Sequence, residues 1–181
     1  MKVKIIFGML SMLAVSNSFA SAGTVHFTGT IQAAGCDVTP TTKNQIVDFG
    51  IISGKEFVAT GDTAAAKSFH IDLTACPRSV APNDKVALRF SGVQDPDNNN
   101  LLSVGTGSSY AKKVGIAIFN QADNSAVQMF QNTSPAAIVY PSGTTGTGDV
   151  SIHLVAKLQS TGTAVTPGKI DSTADFSIIY Q

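Results

Sequence analysis

Apolar and polar residues alternate one for one in a series of short runs along this chain, and that spacing predicts strands with one buried face. Phe69, Ile71 and Leu73 share a face, while His70, Asp72 and Thr74 take the other, within a strand expected over 67–76. Val86, Leu88 and Phe90 do the same within 85–91, and Val150, Ile152, Leu154, Ala156 and Leu158 within 149–159. A shorter run, Val47-Asp48-Phe49-Gly50-Ile51, reads as a strand over 46–52. Residues 113–120 form a continuous apolar stretch, Val114 to Phe119, as expected of a strand covered on both faces. The tail alternates Ala174, Phe176, Ile178 and Tyr180 with Asp175, Ser177 and Ile179. Near the start, Val25, Phe27, Gly29 and Ile31 alternate with His26, Thr28, Thr30 and Gln32.

Turn chemistry separates these runs: Pro82-Asn83-Asp84, the Asp95 to Asn100 cluster, Ser142 to Gly148, and Thr166-Pro167-Gly168. No segment carries a 3.6-residue apolar stripe, although 57–66 has room for a short turn of helix. Many short, half-buried strands pack most naturally as an all-β sandwich.

The leading residues change the setting. Lys2 and Lys4 precede an apolar run from Ile5 to Val15, then polar Ser16-Asn17-Ser18 and small residues. That is the anatomy of a secretory signal peptide over 1–22, with cleavage after Ala20 or Ala22. The apolar run is about eleven residues, and a spanning helix needs roughly twenty, so direct membrane insertion is not expected. Removing Lys2 and Lys4 leaves 10 basic residues against 12 acidic ones, a net charge of about −2. Nothing in that balance attracts nucleic acid or anionic lipid. The remaining length suits one domain. Trp is absent and Glu56 is the single glutamate, so helix-favouring polar faces are scarce.

Cys36 and Cys76 are the two cysteines, and in an oxidising compartment an isolated pair most simply forms a disulfide. A redox-active pair is the alternative, and the close C-x-x-C spacing it uses is missing. Other chemistry has little support. Asp95-x-Asp97-x-Asn99 begins like a calcium loop, but Asn100 and Thr106 stand where Gly and Glu are needed, so it reads as a solvated turn. His26, His70 and His153 fall on polar faces of three separate predicted strands, so no metal site is expected. No Gly-x-Ser-x-Gly elbow or phosphate-loop ending occurs, and neither catalytic residues nor a cofactor are expected. Asn132-Thr133-Ser134 fits a glycosylation sequon, read as incidental in a bacterial setting.

Two apolar-faced strands at opposite ends raise the question of which sheet each completes. Each can be read as an ordinary strand pairing within its own chain. They can also complete each other in different copies.

In sequence, four features in order resemble one family. They are Gly-Thr-Val-His-Phe-Thr-Gly-Thr-Ile at 23–31, Phe69-His-Ile-Asp-Leu-Thr-Ala-Cys76-Pro77, the Cys36–Cys76 spacing, and Gly168 with penultimate Tyr180. Together they resemble pilins assembled by the chaperone–usher pathway, close to the type 1 major fimbrial subunit, over nearly the whole chain after residue 22. The resemblance implies an incomplete immunoglobulin-like sandwich lacking its last strand, over 35–181, with an N-terminal donor-strand extension over 23–34. It implies donor residues Val25, Phe27, Gly29 and Ile31, with Gly29 at the family's small position. The matching acceptor groove and chaperone-docking strand are Gly168, Ala174, Phe176, Ile178 and Tyr180. A periplasmic chaperone, an outer-membrane usher and identical or related subunits follow as partners. The implied location is a surface fimbria, reached through the periplasm and supporting adhesion.

The alternative is a monomeric secreted β-sandwich that binds carbohydrate. Sugar platforms recruit exposed aromatics, and a chain with no Trp and three Tyr offers few.

Overall fold

The computed structural model describes residues 25–28, 35–78, 83–141 and 146–181. The expected signal peptide, Gly29, Ile31 and the rest of 29–34 lie outside the described residues. The chain divides into two units, 1–31 and 32–181. In the first, residues 25–28 carry no regular secondary structure, and Val25 and Phe27 are exposed.

The second unit is two β-sheets with a shared core. Its elements are β1 (Asp37–Val38), a single helical turn α1 (Pro40–Lys43), β2 (Thr63–Pro77), β3 (Lys85–Gly92), β4 (Leu102–Ser103), β5 (Val114–Asn120), β6 (Ala126–Val127), β7 (Ala136–Ala137), β8 (Thr147–Ser160) and β9 (Ala174–Tyr180). A short 3-10 turn spans Gly54–Glu56, and no helical turn fills the room left for one over 57–66; Thr63 to Ala66 belong to β2 instead. The larger sheet runs β1-β2-β8-β5-β4, with β6 also on β5. The smaller runs β7-β3-β9. All described ladders are antiparallel.

Alternation decides which residues meet in the middle. Leu73 of β2, Leu88 and Val86 of β3, and Leu154 and Leu158 of β8 are wholly buried or nearly so. Residues of β5 are buried on both faces except Phe119, in keeping with its continuous apolar run. In β2 the period breaks at a bulge: Leu73 pairs Val150, but Cys76 pairs Gly148, three residues against two. Ala75 absorbs the extra residue with φ 53°. The bulge turns Cys76 into the core, where it forms a disulfide with Cys36.

Residues 46–52, read as a strand from their alternation, join no ladder. Among the described residues, none of their backbone groups pairs with another backbone group. Val47, Phe49 and Ile52 pack against the core, while Ile46 and Ile51 are fully exposed. They form a strap across the opening between the sheets. Its start is tied down by Gln45, whose Nε2 donates to the carbonyls of Thr42 (2.8 Å) and His70 (2.7 Å).

Candidate functional site: an open groove beside the last strand

β9 pairs with β3 along one edge only. The carbonyls of Leu88 and Phe90 accept from Thr133 and Phe130, on the side of β3 away from β9. Leu88↔Ile178 and Phe90↔Phe176 are therefore non-hydrogen-bonded pairs. The N–H and C=O groups of Ala174, Phe176, Ile178 and Tyr180 then point away from β3, to an edge unpaired among the described residues. Side chains of the same four residues turn inward and pack against the core. An arriving strand would meet free backbone groups and an apolar floor at the same positions.

The floor is reached through two clefts of about 230 and 960 Å³. Both are lined by Gln45, Val47, Phe49, Ile116, Ser172 and Thr173, so they run together as one groove between the strap and the approach to β9. At its base lie Phe69, Ile71, Phe90, Ile118 and Phe176. Phe90 stands edge-on to Phe69 and tilted to Phe176, each at 6.3 Å between ring centres. Apolar core left open in this way is what natural sheet proteins ordinarily cover.

The expected acceptor residues divide along the groove. Gly168, Ala174 and Phe176 line it, whereas Ile178 and Tyr180 continue the same strand beyond the clefts. Tyr180 closes that end: its hydroxyl accepts a hydrogen bond from the Cys36 backbone N–H at 2.9 Å. Gly168 is a glycine for a steric reason, since a Cβ there would strike the backbone of Tyr110 and Ala111. That close approach is held by Lys169 N–H to Ser109 C=O (2.9 Å) and Ala111 N–H to Lys169 C=O (3.0 Å). Of the donor residues, Val25 and Phe27 are exposed and outside any strand, and Gly29 and Ile31 are not described. The strap residues Val47 and Phe49 are groove-lining positions that alternation identified as a strand but could not assign to a groove wall.

The Asp95 cluster is structural. Asp95 Oδ1 accepts from the N–H groups of Asp97 (3.0 Å) and Asn98 (3.1 Å), making a turn where the sequence suggested one, but with Asp95 itself buried instead of solvated. Burial holds its carboxyl above the usual range.

The family model described as "Fimbrial protein" matches residues 25–181. The chain belongs to the fimbrial protein family. This fimbrial subunit is 34% identical to long polar fimbria protein A of Salmonella typhimurium, over 98% of its own length and 97% of the relative's. It is also 34% identical to a type-1 fimbrial protein subunit of Serratia marcescens, over 92% and 91%. Such relatives are structural pilus components, so the chain is a structural subunit and not an enzyme. In fold it is similar to the P pilus rod subunit PapA, with TM-score 0.64 at 21% identity, covering 82% of this chain and 100% of that one. A chain from a chaperone–usher pilus gives TM-score 0.62 at 22% identity over 92% and 100%. The fimbrial subunit thus has the immunoglobulin-like pilin fold, and it polymerises with other subunits into pili on the cell surface.

Proposed function

We propose that this subunit polymerises by donor-strand exchange. Residues 23–34 of one copy enter the groove of the next, where Val25, Phe27, Gly29 and Ile31 face the floor. The observation that carries this reading is the edge of β9, unpaired among the described residues, above an apolar groove. Adding a strand in trans pairs the free groups of Ala174, Phe176, Ile178 and Tyr180 and buries alternate side chains. Burying Val25, Phe27 and Ile31 contributes about 1.5–3 kcal/mol each. A copy that donates at one end and accepts at another makes a heterologous contact that does not close, so the product is a filament.

A subunit with an open groove needs cover before assembly. We assign that role to a periplasmic chaperone strand, displaced at an outer-membrane usher, after export directed by residues 1–22. The finished fimbria then supports adhesion. Deleting Gly23–Gln32 tests the donor assignment. The expected result is a subunit that accumulates with chaperone in the periplasm but forms no filaments by electron microscopy. Normal filaments from that variant would refute it.

A further inference from the structure

The outer face of the larger sheet carries a feature that the groove does not use. His70 of β2 and His153 of β8 are directly opposed in register. The His153 carbonyl accepts from Gln121, on the β5 side, and the His70 carbonyl accepts from Gln45 on the opposite side of β2. The two histidines are thus a non-hydrogen-bonded pair, the cross-strand position at which side chains approach most closely. Both are exposed, and their ring centres lie 5.7 Å apart with planes inclined at 36°.

The neighbours favour a cation. The flanking register pairs on this face are Ser68↔Val155 and Asp72↔Ser151. They contribute one carboxylate and no Lys or Arg. Asp72 Oδ2 lies 3.4 Å from His70 Nε2, while Asp72 Oδ1 accepts from the Ser151 hydroxyl at 2.6 Å. A carboxylate so held orients the imidazole beside it, the usual support for a metal-binding histidine. Ladder pairing on both strands fixes the spacing before any ion arrives.

We propose that His70 and His153 form a bidentate chelate for a borderline divalent transition metal of the zinc, nickel or copper class, with Asp72 as a positioning residue. Imidazole is the ligand these ions prefer. No group of three or more His, Cys, Asp or Glu among the described residues has metal-holding geometry, so water completes the shell. A polymer of such subunits displays one chelate per repeat.

Titration of the purified full chain with Ni²⁺ by calorimetry, and Cu²⁺ electron paramagnetic resonance, tests this directly. The chain has three histidines, which makes assignment clean. One ion per subunit is expected, with two-nitrogen ligation in the copper spectrum. His70→Asn and His153→Asn should each abolish the two-nitrogen signature, and Asp72→Asn should weaken binding about ten-fold. His26→Asn should change nothing. No binding by the wild-type chain, unchanged binding in either strand variant, or loss in His26→Asn would each overturn the proposal.

Discussion

The Tyr180 hydroxyl accepts a hydrogen bond from the Cys36 backbone N–H, linking residues 144 positions apart in sequence. One bond ties the last strand to the disulfide-bonded residue just before β1, at the end of β9 beyond the open groove. A Cβ on Gly35 would fall on that hydroxyl, so the glycine keeps the approach clear.

Tyr180→Phe keeps the ring and removes the acceptor, leaving a largely buried N–H unpaired. The expected cost is about 1 kcal/mol, read from urea unfolding of the isolated subunit. An unchanged midpoint would show that solvent or another group satisfies Cys36.

Gly168 meets backbone, which cannot move aside as a flexible side chain can. Gly168→Ala should destabilise by about 1–3 kcal/mol and lower the yield of folded subunit. Gly54→Ala is the control, because nothing lies within 4 Å of a Cβ there. It should stay within about 0.5 kcal/mol of wild type. Equal effects from both substitutions would contradict the steric account.

The disulfide closes a separation of 40 residues. Replacing both cysteines by serine should cost about 4 kcal/mol, seen as loss of folded subunit in the periplasm. A doubly substituted chain with wild-type thermal stability would contradict this.

Much of this was legible because β2, β3, β5, β8 and β9 are long enough for alternation to show. The assignment of Phe69, Ile71 and Leu73 to the core needed only period two. Where the account fell short, the deciding contact was remote. The Ala75 bulge that swings Cys76 inward has no local signature, because alanine is an unremarkable residue at a left-handed position. β1, β4, β6 and β7 have two residues each, too few to show a period. Residues 46–52 alternate like a strand yet form no ladder, since Val47 and Phe49 are fixed by the core and not by a neighbour. The opposition of His70 and His153 depends on a register set across 83 positions, which no local pattern reveals.

Asp95 offers a pH test. Burial raises its folded pKa above the ordinary value of 3.8, so the folded chain holds this proton more tightly than the unfolded chain. Stability from this group is full below the ordinary value and lost as pH rises through the raised one. Asp95→Asn keeps an oxygen for the Asp97 and Asn98 N–H groups but carries no charge. Its thermal midpoint relative to wild type should improve between pH 3.5 and 7. A difference that is flat or falls with pH would contradict the desolvation argument.

Binding of a synthetic Gly23–Gln32 peptide to a chain lacking those residues tests strand completion most directly. The peptide should bind saturably and raise the thermal midpoint of the truncated subunit, whereas a peptide with Gly29→Phe should do neither. A truncated chain that is already fully stable and ignores the wild-type peptide would contradict completion in trans.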